Sequence, residues 1–259
     1  MKWADTINKF GIVDIEKGYK ILIKGEPGTL KSTLVFWLVH LACDEENRAI
    51  YFSFEEDIEI FRNHLRHMEV IKKDGKEKDY LQLLTYPGLK PGEDRKKIYG
   101  SPDDFIKDLL NLLDENDKNI KDSKVSMIVF DPWSTIKDYL LACNRNIANI
   151  RNRIPSKESI TSYKREIFRY NIHTIFNHPF FEKVVSFFIV EKTNDSKFNV
   201  EDYLVDTIFE LRISETSRAH PVIIRCAKMR GYNIKHSDFT LYYHPHTGFD
   251  VREVLPATY

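Results

Sequence analysis

Residues 19–33 read Tyr-Lys-Ile-Leu-Ile-Lys-Gly-Glu-Pro-Gly-Thr-Leu-Lys-Ser-Thr. An apolar run stops at Gly25, a Pro-Gly turn follows, and an apolar helix pattern opens at Lys31. Gly25, Lys31 and Ser32 fall at the spacing of the phosphate-binding loop G-x-x-x-x-G-K-[ST]. Backbone N–H groups of such a loop, with the positive end of the helix behind it, form a nest for polyphosphate. The expected cradle is Gly25, Glu26, Pro27, Gly28, Thr29, Leu30, Lys31, Ser32 and Thr33, with Lys31 on the β- and γ-phosphates and the Ser32 hydroxyl on Mg²⁺. An ordinary strand-turn-helix corner shares the outline but not the Lys-Ser pair. One position departs: Leu30 stands where the second Gly belongs. Gly28 is expected to supply the missing backbone freedom, and the Leu30 side chain to crowd the phosphate loop.

Strand and helix patterns alternate along the chain, which predicts an α/β fold with a mostly parallel central sheet flanked by helices. Strands are expected at 19–24, 49–54, 80–86, 125–131, 184–190, 207–213 and 222–228. Helices are expected at 31–43 and 57–68, the latter turning Ile58, Ile60, Phe61 and Leu65 inward. Ser101-Pro102-Asp103-Asp104 is a helix start, with a hydroxyl cap, proline in the first turn and acids at the positive end of the dipole. Stretches 70–79 and 87–100 read as surface loops. At 259 residues the chain has room for a substantial core, and it is read as one domain with a helical basic insertion at about 139–182.

Lysine plus arginine equals aspartate plus glutamate at 39 each, so no global field draws the chain to nucleic acid or membrane. A local excess exists. Between Arg145 and Arg169 stand Arg145, Arg151, Arg153, Lys157, Lys164, Arg165 and Arg169 against Glu158 and Glu166. This stretch is either a solvated helical face or a surface for nucleic acid or an acidic protein. Cys43, Cys143 and Cys226 are far apart, which fits a reducing compartment and gives no zinc spacing. With no apolar leader and no membrane-length run, a cytoplasmic location is expected. His64 and His67, and His244 with His246, lack a third ligand nearby and read as structural or solvated.

Hydrolysis of a bound nucleotide needs a carboxylate for Mg²⁺ and a polarised water. Asp131 closes the apolar strand Val-Ser-Met-Ile-Val-Phe-Asp and is placed for the metal role beside Ser32. Glu55 and Glu56 directly follow the second strand and can serve as base for water. Ser53-Phe54-Glu55-Glu56 also fits a capping box for the next helix, and the two readings can coexist.

Tyr51-Phe52-Ser53-Phe54-Glu55-Glu56 resembles the strand and paired glutamates of KaiC-like ATPases in the RecA superfamily. Gly25–Thr33, Met127–Asp131 with Ser134, Val200–Ile208, and Lys228-Met229-Arg230-Gly231 with His236 match in the same order. The resemblance spans about residues 9–254. It implies a RecA-like core, ATP·Mg²⁺ as ligand, and active sites at subunit interfaces of a homo-oligomer, commonly six-membered. It also implies that Lys228 and Arg230 act on the γ-phosphate of the neighbouring subunit, although a solvent-facing strand end would carry the same cations. Three departures stand out: Leu30, the reduced glycine content of the approach Phe10–Gly18, and the long insertion.

The expected function is ATP binding and hydrolysis. Three alternatives stay open: a nucleotide sensor that binds with little turnover, a recombinase-like ATPase contacting DNA through the basic insertion, and a small-molecule kinase with a basic lid.

Overall fold

A computed structural model of the chain describes residues 15–43, 47–55, 60, 81–85, 102–123, 125–144, 157–192, 200–214, 221–231, 238–244 and 247–253. The predicted helix at 57–68, both predicted loops, Glu56, His64, His67, His236, His246, Arg145, Arg151 and Arg153 fall outside these residues, except Ile60.

Nine strands are described: β1 Lys20–Gly25, β2 Arg48–Ser53, β3 Leu81–Thr85, β4 Val125–Asp131, β5 Val185–Glu191, β6 Thr207–Ile213, β7 Val222–Met229, β8 Asp238–His244 and β9 Gly248–Glu253. They form one sheet in the order β3-β2-β4-β5-β1-β6-β7-β8-β9. The pairs from β3 through β6 are parallel, and β7, β8 and β9 extend the sheet antiparallel. The parallel strands are near-continuous apolar runs because helices cover both faces. The hairpin β8–β9 lies beyond the strands expected from the sequence, which end at 222–228. Its sequence alternates, with Phe239, Leu241, Phe249 and Val251 turned to the core.

One face carries helix α1 (Lys31–Ala42), whose residues 34–39 are all buried. It packs across Ile21, Ile23, Phe187 and Ile189, and Trp37 reaches Phe249 on β9 with ring centroids 5.4 Å apart. The other face carries α2 (Pro102–Ser123), α3 (Trp133–Asn144) and α4 (Lys157–Phe176). There Phe130, Phe188 and Phe176 stack, with centroids 5.4 and 4.4 Å apart, and Trp133 sets its edge against Phe188 at 5.1 Å. Each such ring contributes about 1.5–3 kcal/mol of burial, and the stacked pairs add geometric preference. A one-turn helix, α5 (Glu201–Leu204), leads into β6. Within the stretch 139–182, the described residues include the end of α3 and all of α4, and residues 145–156 between them lie outside the described set. No described helix is long and apolar enough to cross a membrane.

Candidate functional site

Strand order decides which residues meet. Across the sheet run β2, β4, β5 and β1, all parallel, so their C-terminal ends lie on one edge. At that edge stand Glu55 just past β2, Asp131 ending β4, Glu191 ending β5 and Gly25 ending β1. Register places Ser53 beside Asp131 and Gly25 beside Glu191. Adjacent strands are about 4.8 Å apart, so the row spans about 15 Å.

The loop closes tightly on itself. The Thr29 hydroxyl donates to the Glu26 carbonyl at 2.8 Å, and so does the Lys31 ammonium, also at 2.8 Å. Lys31 is 7% exposed. Burial pushes its pKa below the usual lysine value, opposed by the charges of Glu191, Asp131 and Glu55. A buried ammonium facing carboxylates and held by a single loop carbonyl has donor capacity for an anionic ligand. Gly25 allows no side chain: a Cβ there would lie 2.5 Å from Thr29 Oγ1 and 2.8 Å from the Leu211 carbonyl oxygen.

Leu30 takes the left-handed conformation, φ 60° and ψ 27°. This explains why the motif favours Gly at that position. Gly28 is left-handed as well, at φ 80°, so it supplements the turn at Leu30 and does not replace it. The Leu30 side chain is half-buried against the apolar cluster under α1, and its carbonyl accepts the first helical bond from Leu34 N at 2.9 Å. That packing is the gain set against the left-handed strain.

The acids are held by neighbours that sequence reasoning did not assign. Tyr51 on β2 donates its hydroxyl to Asp131 Oδ2. Thr135 on α3 donates to Glu55 Oε1 at 2.7 Å. Ser134 Oγ lies 3.5 Å from the Glu191 backbone N–H. Glu191 itself carried a readable signal, since Val-Ser-Phe-Phe-Ile-Val-Glu is an apolar strand closed by an acid, like the strand of Asp131. Carboxylate and hydroxyl oxygens are the hard donors that Mg²⁺ takes, and Asp131 at the end of β4 and Ser32 in the first turn of α1 carry such groups. The residues therefore fit a magnesium-bound polyphosphate.

Lys228 and Arg230 lie elsewhere. Met229 pairs with Thr207, which pairs with Ile21 at the start of β1, four residues from Gly25. At about 3.3 Å per residue this is about 13 Å along the sheet, at its opposite edge. Lys228 Nζ donates to the carbonyls of Asp202 at 2.5 Å and Val205 at 2.7 Å. Burial first, and the charge of Arg230 second, lower its pKa. Arg230 is more exposed, donates to the Tyr203 carbonyl, and has NH1 3.6 Å from Asp206 Oδ1.

The family model for the KaiC ATPase matches residues 5–253. The chain belongs to the KaiC ATPase family. Among solved structures, a KaiC-like protein from the hyperthermophilic archaeon Pyrococcus horikoshii is similar, with a TM-score of 0.58, 15% identity, and coverage of 92% of this chain and 90% of that one. At that identity the likeness concerns the fold, a RecA-like α/β core. No curated protein matches the sequence. The family assignment makes the chain an ATP-binding P-loop ATPase.

Proposed function

We propose that the chain hydrolyses ATP·Mg²⁺ at a site completed by a neighbouring copy of itself. The observation that carries the reading is the row of Glu55, Asp131 and Glu191 facing a buried Lys31 at one sheet edge. Gly25–Thr33 wrap the phosphates, and Lys31 exchanges the Glu26 carbonyl for phosphate oxygens. Ser32 and Asp131 hold the metal, with Tyr51 orienting the Asp131 carboxylate. When bound, Mg²⁺ neutralises charge on the β- and γ-oxygens. Glu55, oriented by Thr135, accepts the proton of the attacking water. Glu56 adjoins it in sequence and is the second candidate base.

Arg230 supplies a cation from the neighbour; Lys228, two residues before it, is held by the Asp202 and Val205 carbonyls of its own subunit. The loop of Arg230 is at the opposite sheet edge, which favours action on the next subunit over action on its own. An arginine at the γ-phosphate is worth about 10³–10⁵ in rate where measured.

Phosphate release from ATP·Mg²⁺ without any acceptor tests the reaction. Wild type should release phosphate, and Lys31→Ala should not. Wild-type protein that binds ATP and releases none would favour the sensor reading. Mixing Lys31→Ala with Arg230→Ala tests the shared site. Mixed assemblies, confirmed by native mass, should recover activity that neither variant has alone. The DNA-binding alternative rests on a basic stretch of which Arg151 and Arg153 lie outside the described residues. No retention on DNA at low salt would remove it.

A further inference from the structure

Residues 201–206 are held by four cations from three elements. On α3, Lys137 Nζ meets Glu201 Oε1 at 2.5 Å, with the Glu201 side chain fully buried. On β1, Lys24 Nζ meets Asp202 Oδ1 at 2.5 Å, with Lys24 7% exposed. From β7, Lys228 donates to the Asp202 and Val205 carbonyls, and Arg230 to the Tyr203 carbonyl. The β7 end is fixed again by the Arg230 backbone N–H on the Asp206 carbonyl at 2.8 Å. Asp206 is in turn tied to β1, because its Oδ2 accepts from Lys20 N at 2.9 Å.

Two of these cations sit on the nucleotide-site elements. Lys24 immediately precedes Gly25. Lys137 is two residues past Thr135, which holds Glu55. Taking a carboxylate and an ammonium out of water costs about as much as their attraction returns, so a buried pair such as Lys137–Glu201 contributes little net stability, and the Lys24–Asp202 pair, with Asp202 32% exposed, is half-buried. The best-attested use of a buried pair is to fix register. Here the registered object is a four-residue helix whose carbonyls carry Lys228 and Arg230.

We infer that Glu201–Asp206 is a cradle that aims Arg230 at the neighbouring subunit's nucleotide, with Glu201 and Asp202 as positioning residues. The inference rests on the reading that Arg230 acts in trans. Asp202 is tethered by Lys24, Glu201 by Lys137, and Lys228 is the strut joining the cradle to β7.

The test uses Asp202→Ala, with Asp202→Asn alongside. The asparagine variant keeps the side-chain volume and loses the charge, so a folding defect in the alanine variant does not decide the result. Both should bind ATP as wild type does, because their own Gly25–Thr33 loop is intact. Their turnover should fall about tenfold or more, since misplacing a reacting group by about 1 Å can cost about a hundredfold.

Each is then co-assembled with Lys31→Ala and, separately, with Arg230→Ala. Recovery with Lys31→Ala and none with Arg230→Ala places the defect on the side of the interface that Arg230 occupies. A merely structural defect would also weaken the variant's own loop, and no partner would rescue it. If Asp202→Ala and Asp202→Asn keep wild-type turnover, or recover with Arg230→Ala, or fail with Lys31→Ala while Arg230→Ala succeeds with it, the cradle does not position Arg230. If Arg230→Ala with Lys31→Ala itself gives no recovery in confirmed mixed assemblies, the trans reading fails and the cradle's role fails with it.

Discussion

Thr135 Oγ1 donates a 2.7 Å hydrogen bond to Glu55 Oε1 across 80 residues of sequence, binding the first turn of α3 to the acid that follows β2. The bond fixes one oxygen of an exposed carboxylate and leaves the other for solvent or a ligand. A general base needs that orientation more than it needs burial. Glu55→Gln should keep ATP binding and lower turnover by about 10²–10⁴. Thr135→Val should cost about 1 kcal/mol in kcat terms, the worth of one hydrogen bond, with KM little changed. Single-turnover kinetics of both variants check this. Wild-type rates in both would assign Glu55 to capping the helix predicted at 57–68 and move the base to Glu56 or beyond.

Lys31 gives a pH prediction with a definite sign. Burial lowers its pKa from the ordinary lysine value of 10.5, so it loses its proton earlier in an alkaline titration than a surface lysine does. Attraction for the triphosphate falls with the proton. ATP affinity should therefore weaken as pH rises toward 10.5, and Lys31→Arg should shift that loss to higher pH because guanidinium stays charged. In the absence of ligand the sign for stability is opposite. The unfolded chain binds the proton more tightly than the native one, so the cost of burying this charge is relieved as pH rises through the native pKa. Equilibrium binding across pH 7–11, paired with melting of the free protein, separates the two effects. Binding that stays flat in wild type would remove Lys31 from the phosphate site.

Gly25→Ala should damage the loop by steric contact alone. The added Cβ meets the Leu211 carbonyl oxygen at 2.8 Å, and that atom belongs to β6 backbone paired with β1. Neither strand can yield without breaking ladder bonds. The expected loss is about 1–3 kcal/mol, the usual cost of overpacking a tight site. Thermal melting should show a lower midpoint, and the stabilisation by ATP·Mg²⁺, about 2.7 kcal/mol at a hundredfold excess over Kd, should shrink. An unchanged midpoint and an unchanged ATP shift together would show that the loop moves freely.

Much of the fold is legible in the chain because parallel strands covered on both faces leave uninterrupted apolar runs, as in Ile21–Ile23 or Phe187–Val190. Asp131 is legible for the same reason: an acid at the end of such a run has nowhere to go except the sheet edge. Glu191 carries the same sign, an acid that closes the apolar run of β5. The hairpin of β8 and β9 carries the other kind of strand signal, short alternation in place of an uninterrupted run: Phe239, Leu241, Phe249 and Val251 face the core, and Thr240, Tyr242 and Asp250 stand between them. Long-range pairings leave no local trace. Nothing near Lys24 in sequence points to Asp202, nothing near Tyr51 points to Asp131, and a lysine in an apolar strand is chemically ambiguous until its partner is placed.

Leu30 offers the sharpest discrimination between backbone and side-chain effects. Its φ of 60° costs an L-residue about 1–2 kcal/mol relative to the right-handed region, and Gly adopts it without steric penalty. Its side chain offsets part of that cost by packing against the cluster under α1. Leu30→Gly removes the strain and the packing together, so stability should change far less than the 2–5 kcal/mol of an ordinary large-to-small core substitution. Leu30→Val keeps most of the apolar surface yet places a β-branched residue in the left-handed region, where crowding is worst. Contact area alone ranks valine as the milder change, and backbone conformation ranks glycine as the milder one. Denaturant unfolding should find Leu30→Val less stable than Leu30→Gly. ATP binding should follow the same order, because the loop that wraps phosphate is held by this one left-handed residue and by Gly28. Turnover in Leu30→Gly should match wild type, since the native loop already has the conformation glycine would confer. If valine proves the more stable variant, Leu30 is not left-handed in solution. If glycine raises turnover well above wild type, the Leu30 side chain crowds the site after all.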